Sequence, residues 1–241
     1  MSLLTALASD NSIEDEKDFL GGGYSPMESG LYPATVALAY LGKSKGGAMS
    51  LELTLTIDGK EVRQTIWVTS GDAKGNKNYY TDSKGEKKYL PGFLMANSLT
   101  RLTVGKEISA LETEKKVINL YNYEAKAEVP TPVDMLTDLM GQDILVGLIK
   151  QTVDKNVKDA AGNYVPSGET REENEIDKLF RASDRKTTAE ILAQADASFA
   201  DSWEKKWAGQ VKNKASKTAG QTGQAGAPAA NSSKPTTSLF G

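Results

Sequence analysis

Between Trp67 and Tyr89 the chain reads WVTSGDAKGNKNYYTDSKGEKKY, an interleaving of rings and ammonium groups. Trp67, Tyr79, Tyr80 and Tyr89 bring flat π faces. From Lys74 to Lys88, five lysines (Lys74, Lys77, Lys84, Lys87, Lys88) stand against Asp82 and Glu86, a local balance of +3 in a chain whose net charge is −3. Rings stack on bases and ammonium groups meet phosphates, and neither contact depends on base order. A stacked base contributes roughly 1–3 kcal/mol, and the phosphate contacts add a salt-dependent part. The chemistry that suits these residue types is capture of a single nucleic-acid strand.

Those side chains need a scaffold, and the preceding residues predict one. Residues 31–41, LYPATVALAYL, read as a strand. Residues 49–57 alternate, with Leu51, Leu53, Leu55 and Ile57 on one face and Ser50, Glu52, Thr54 and Thr56 on the other. Asp58-Gly59 suits a type I′ turn, so KEVRQTIWVTS should return antiparallel. In that third strand Val62, Ile66 and Val68 share one side, while Arg63, Thr65, Trp67 and Thr69 share the other, which places Trp67 and Arg63 on the polar face.

Pro91 and the residues after it predict a helix of about ten residues, with Leu94, Leu99 and Leu102 on one stripe and Gly105 as its stop. A second helical piece is expected near Val133–Met140, ending at Gly141, with KVINLYNYEAKA as a strand or an extended connection between the two. Residues 143–153 and 171–181 read as neighbouring strands across the long loop DKNVKDAAGNYVPSGE. Ile191, Leu192, Ala195, Phe199, Trp203 and Trp207 recur at helical spacing, so residues 187–208 are expected to form one amphipathic helix with both tryptophans packed.

Charge and composition divide the 241 residues further. Residues 1–28 form an acidic arm, either simply solvated or facing a partner. From Lys205 onward there are six lysines and no acid, which leaves residues 1–204 at −9. Residues 209–241 are rich in Gly, Ala, Ser, Thr, Lys and Gln, and are expected to form a disordered basic tail. The tail ends SLFG, where Leu239 and Phe240 are candidate partner contacts; chance placement of two apolar residues is the competing reading. The domain plan is therefore an arm (1–28), a binding domain (29–184), a helix (185–208) and a tail (209–241).

Cysteine and histidine are absent, which excludes disulfides, thiolate zinc sites, thiol nucleophiles and histidine-based acid–base chemistry. No signal-peptide pattern or membrane-length apolar run occurs, so a soluble intracellular protein is expected. Ala37–Ser44, ALAYLGKS, imitates a phosphate loop, but the residues after it begin a strand rather than a helix. It reads better as a hairpin tip whose Lys43 and Lys45 reach phosphate. The run from Asp154 lacks the glycine of a calcium loop. The acids Glu172, Glu173, Glu175 and Asp177 read as a solvated strand edge. No catalytic, metal or cofactor site is expected, and the chain is not read as an enzyme.

The order of three strands, a helix and two strands is that of the OB-fold, whose second and third strands and flanking loops bind oligonucleotides. Several segments also carry a family likeness: SGLYPATVALAYLGKSKGGAMSLELTLTIDG, VTSGDAKGNKNYYTDSKGEKKYLPGF, ETEKKVINLYNYEAKAEVP, LTDLMGQDI and KDAAGNYVPSGETREENEIDKLF. Over about residues 29–182 the chain resembles the single-stranded DNA-binding proteins encoded by tailed bacteriophages, most distinctively in SGDAKGNKNYY. The resemblance implies a five-stranded OB barrel with added helices. It further implies coating of single-stranded DNA during phage replication and recombination, in the cytoplasm of the infected bacterial host. One departure stands out: many proteins of that functional class carry an acidic tail, and this tail is basic. An interaction hub that recruits replication or recombination partners through the tail is the alternative.

Overall fold

The computed structural model describes residues 25–122 and 125–216. The acidic arm before residue 25 and the SLFG tip, with Leu239 and Phe240, lie outside the described residues. Three strands open the fold as a meander: β1 (Gly30–Lys43), β2 (Met49–Ile57) and β3 (Lys60–Trp67). The β2–β3 turn has Asp58 at φ 47° and Gly59 at φ 74°, the paired positive values that a type I′ turn requires. Leu51, Leu53, Leu55 and Ile57 are buried, as are Val62 and Ile66 across the hairpin. The sequence periodicity therefore reads true in these strands.

A short hairpin follows, formed by β4 (Tyr79–Thr81) and β5 (Lys87–Tyr89), and leads into helix α1 (Pro91–Thr103). Pro91 occupies the first helical turn, where its missing N–H costs nothing. The buried face of α1 is Ala96, Leu99, Thr100 and Leu102. Leu94, expected on that stripe, is instead exposed.

Beyond α1 the expectations need correction. Residues 133–135 are not helical: they end strand β7 (Ala127–Met135), which pairs with β6 (Glu114–Asn122), and only a 3-10 turn at Thr137–Leu139 follows. Val133 and Met135 alternate inward and Met135 pairs with Tyr40 of β1, so sheet pairing overrides the local helical spacing. Strands β8 (Asp143–Lys158) and β9 (Tyr164–Arg181) are also longer than expected. The anticipated long loop between them is mostly ladder, reversed at Asp159, whose carboxylate accepts from the backbone N–H of Ala161 and Asn163 at 2.9 and 2.8 Å.

The whole is mainly β with a few helices. A large antiparallel sheet runs β3-β2-β1-β8-β9, with the β6–β7 hairpin attached to β1 and the strand β10 (Val211–Asn213) running parallel to β8. The expected barrel does not close, because β3 and β9 share no backbone ladder among the described residues. A side chain bridges the gap instead. The Gln64 amide oxygen accepts from the Ile176 backbone N–H at 2.7 Å, and its nitrogen donates to the Ile176 carbonyl at 3.4 Å. The main core fills this curled sheet beneath α1.

The single helix expected over residues 187–208 is two: α2 (Thr188–Leu192) and α3 (Phe199–Trp207). Glu190 breaks and joins them. Its carboxylate completes a capping box with Thr187 and also accepts from the backbone N–H of Ser198 and Phe199, both at 2.8 Å, at the start of α3. Trp203 is buried against Phe180, lies over Gly147 and donates its indole N–H to Asp177 at 2.8 Å; Trp207 is partly buried. The tail also orders earlier than expected. Residues 209–216 are described, and Lys212 and Lys214 tie β10 to acids of β9.

Both joints are open to test. Gln64→Ala removes both bonds across the β3–β9 gap and should lower unfolding free energy by about 1–3 kcal/mol in urea titrations. Burial raises the Glu190 pKa, but the hydrogen bonds from Thr187, Ser198 and Phe199 outweigh it and bring the value from 4.5 down to about 2. A depressed carboxylate stabilises the fold above its unfolded-state value and loses that contribution as pH falls through the folded value. The part of the acid destabilisation seen between pH 4.5 and about 2 in the wild type should therefore be missing in Glu190→Gln, measured by thermal melts across that range.

Candidate nucleic-acid interface

The sequence register holds where it matters most: Trp67 ends β3 on the outer face and is 47% exposed. Its backbone is covered by the start of α1, because Gly92 lies so close to the Trp67 carbonyl that a Cβ would overlap it. The helix thus begins against the strand end, and the indole is left at the rim. Trp67 and Lys74 line one groove of about 470 Å³, together with Gln64, Pro91, Gly92 and Glu175. Lys74 is exposed on a 3-10 turn, Asp72–Lys74.

That turn is locked to the β1–β2 hairpin tip. The Asp72 backbone N–H donates to the Gly46 carbonyl at 2.9 Å, and Gly47, at φ 78°, has no room for a Cβ beside the Asp72 carboxylate. Lys43 and Lys45, both exposed, therefore sit on a tip joined to the loop that carries Lys74. The imitation phosphate loop is this hairpin tip, with Ser44 and Ala48 closing it.

The β4–β5 hairpin presents the other rings. Tyr79 pairs with Tyr89, Tyr80 with Lys88, and Thr81 with Lys87. Tyr80 is 46% and Tyr89 56% exposed. The Tyr89 ring lies 5.0 Å from that of Phe93 in α1, which steadies it. Tyr79 differs: it is only partly exposed, and the Lys77 and Lys87 ammonium groups lie 5.6 and 5.0 Å from its ring centre. The site holds two open rings on the hairpin, one open indole at the strand end and one ring already engaged by cations.

The cations divide into two sets. Lys88 bonds Asp82 at 2.5 Å, and this bond, with the backbone N–H of Glu86 and Lys84, holds the Asp82 carboxyl below its ordinary value. Arg63 is paired with Glu61 at 2.7 Å. Among the described residues Lys43, Lys45, Lys74, Lys77, Lys84 and Lys87 form no such ion pair. A polyanion meets the second set directly, whereas it must displace a carboxylate to reach Lys88 or Arg63.

Several residues of the site escaped the sequence reading. Gln64 had a signal: it is the polar member of an otherwise apolar inward row, Val62, Ile66 and Val68. Glu175 lines the Trp67 groove, yet its charge is met by Lys214 at 2.7 Å and Lys212 at 3.6 Å. The acid run read as a solvated edge is thus partly neutralised by the first residues of the tail, a pairing between positions 39 apart that no local pattern reveals. Glu52 also stands on the outer face beside Thr65, whose hydroxyl donates to it at 2.6 Å. Among the described residues there is no cluster of three or more carboxylates suited to a metal ion, and no helix long and apolar enough to cross a membrane.

No protein-family model matches the chain, and no curated protein matches it.

The split among the cations is measurable. If this surface binds a single strand, removing one lysine that meets a phosphate directly should make the log–log salt slope shallower by about 0.7. Lys87→Ala should show that change, and Lys88→Ala clearly less, in anisotropy titrations across salt; equal slopes for both would remove the distinction.

Proposed function

We propose that this chain binds single-stranded DNA without reading its sequence, by stacking bases on Trp67, Tyr80 and Tyr89 and neutralising phosphates with Lys74, Lys77, Lys84 and Lys87. The observation that carries the reading is the exposure of those three rings, Trp67 and Tyr89 at the start of α1 and Tyr80 on the opposite face of the β4–β5 hairpin, beside lysines that no carboxylate engages among the described residues. A protein interior would bury such rings, since each offers a large apolar area. Stacking accepts any base because every base has a π face, and the flexible lysines follow the backbone. Lys43 and Lys45 extend the positive surface along the joined hairpin tip.

The architecture supports the same reading. Strands β1, β2, β3, β8 and β9, with α1 between the third and fourth, follow the order of an OB-fold, a partly open barrel that binds oligonucleotides on its second and third strands and adjoining loops. Trp67 and the loop after it occupy that position. On this reading the β6–β7 hairpin is an insertion after the helix. Together with the resemblance to phage-encoded single-strand binders, this favours a protein that coats and protects single strands during replication and recombination in the infected host's cytoplasm. The proposed role is binding rather than catalysis.

The test is a titration of the purified protein with oligo(dT), with matched duplex as control. At about 50 mM salt, oligo(dT) should quench the tryptophan emission and bind more tightly than duplex, with affinity falling steeply as salt rises. Trp67→Ala should weaken binding by about fivefold or more at every salt concentration. Unchanged fluorescence and mobility with oligo(dT) would contradict the proposal.

A further inference from the structure

Beside the open rings lies a second concavity, of about 420 Å³. Its floor is aliphatic, from Leu41, Val68, Leu111 and Leu136, and its walls include the rings of Tyr79 and Phe93. It shares Thr69 with the Trp67 groove, and Phe93 packs on Tyr89, so it lies between the stacking residues rather than apart from them. The size is within the usual range for small-ligand sites.

The rim is polar in a particular way. Asn76, in the left-handed region at φ 50°, takes the Thr69 hydroxyl on its amide oxygen, and its NH2 group has no acceptor among the described residues. Among the described residues the side chains of Asn78 and Ser109, also on the rim, have no hydrogen-bond partner. Lys77 stands at the same mouth with its ammonium 5.6 Å from the Tyr79 ring centre. A ligand that fits has a flat apolar body, an edge that both donates and accepts hydrogen bonds, and a negative charge attached outside. That describes a nucleobase on its sugar-phosphate.

Building on the single-strand reading, we propose that one base of the bound strand turns off the stacking surface into this pocket, where Tyr79 and Phe93 flank it and the amides of Asn76 and Asn78 face its pairing edge. Tyr79 then serves as a pocket wall, which accounts for its being less open than Tyr80 and Tyr89. Lys77 takes the phosphate of that nucleotide. The pocket gives the strand a fixed register and a modest base preference, which open stacking alone does not supply.

The experiment uses the full chain and the shortest oligo(dT) that still saturates it, with a single abasic site moved along the strand. Anisotropy should show one position where loss of the base weakens binding about tenfold more than at any other, beyond the roughly fivefold loss at positions stacked on the open rings. Ser109→Trp, an exposed rim change that fills the mouth, should weaken the intact strand to the level of that abasic strand and level the profile. Asn78→Ala should leave the profile but narrow the difference among strands carrying each of the four bases at the sensitive position. A level profile in the wild type, or a profile unchanged in Ser109→Trp, overturns the pocket while the open-stacking reading stands. No binding to any strand overturns both. Binding of a free nucleoside monophosphate as tight as that of the strand would assign the pocket to a soluble nucleotide and likewise overturn the proposal.

Discussion

The gap between β3 and β9 sets the terms for the rest of the molecule. A sheet that curls without closing leaves two edges facing each other, each with unpaired backbone groups. Gln64 meets this need with one side-chain amide, which presents a donor and an acceptor to the N–H and C=O of Ile176 as a neighbouring strand would. Gln64, Trp67, Glu175 and Ile176 all border one groove, so the bridge fixes how far the Trp67 strand end stands from β9. Gly92 adds the third side by letting α1 begin directly on the Trp67 carbonyl. Strand end, helix start and β9 converge there, and the exposed indole is the outcome of that convergence.

Charge is organised with similar locality. The chain is acidic overall, yet several carboxylates near the rings are answered by cations: Asp82 by Lys88, Glu61 by Arg63, Glu175 by Lys212 and Lys214. Exposed pairs of this kind contribute little stability. Their effect is on the field that an approaching anion meets, since they mute the negative groups and leave Lys74, Lys77, Lys84 and Lys87 facing solvent. The basic residues at the start of the tail therefore act at the sheet, against β9, rather than as a solvated string.

Alternation made much of this legible in advance. The inward row Leu51, Leu53, Leu55 and Ile57, the Asp58-Gly59 turn and the outward Trp67 all follow from period-two spacing beside a turn that needs two positive φ values. Pro91 marked the helix start for an equally local reason. Failures arose where distant partners decide. Val133, Leu136 and Met140 have helical spacing, but Val133 and Met135 are claimed by β6 and β1. Residues 187–208 have one continuous apolar stripe, but Glu190 captures the N–H groups of Ser198 and Phe199 and divides it. Lys212 and Lys214 looked like tail composition until β9 supplied their acids. In the candidate site the exposed rings and lysines were readable by type, whereas the pairing of Lys88, the cation cover on Tyr79 and the pocket beneath it depend on the hairpin register and on α1.

The central claim is that a single strand lies across the rings at the start of α1. Photocrosslinking with 5-iodo-deoxyuridine oligonucleotides, followed by peptide mapping of the adducts, tests it most directly, because the halogenated base joins to the aromatic side chain it touches. The account predicts adducts at Trp67, Tyr80 and Tyr89, abolished on adding unlabelled oligo(dT). Adducts confined to Tyr121 or Tyr164, near the turns of the β6–β7 and β8–β9 hairpins, would contradict it.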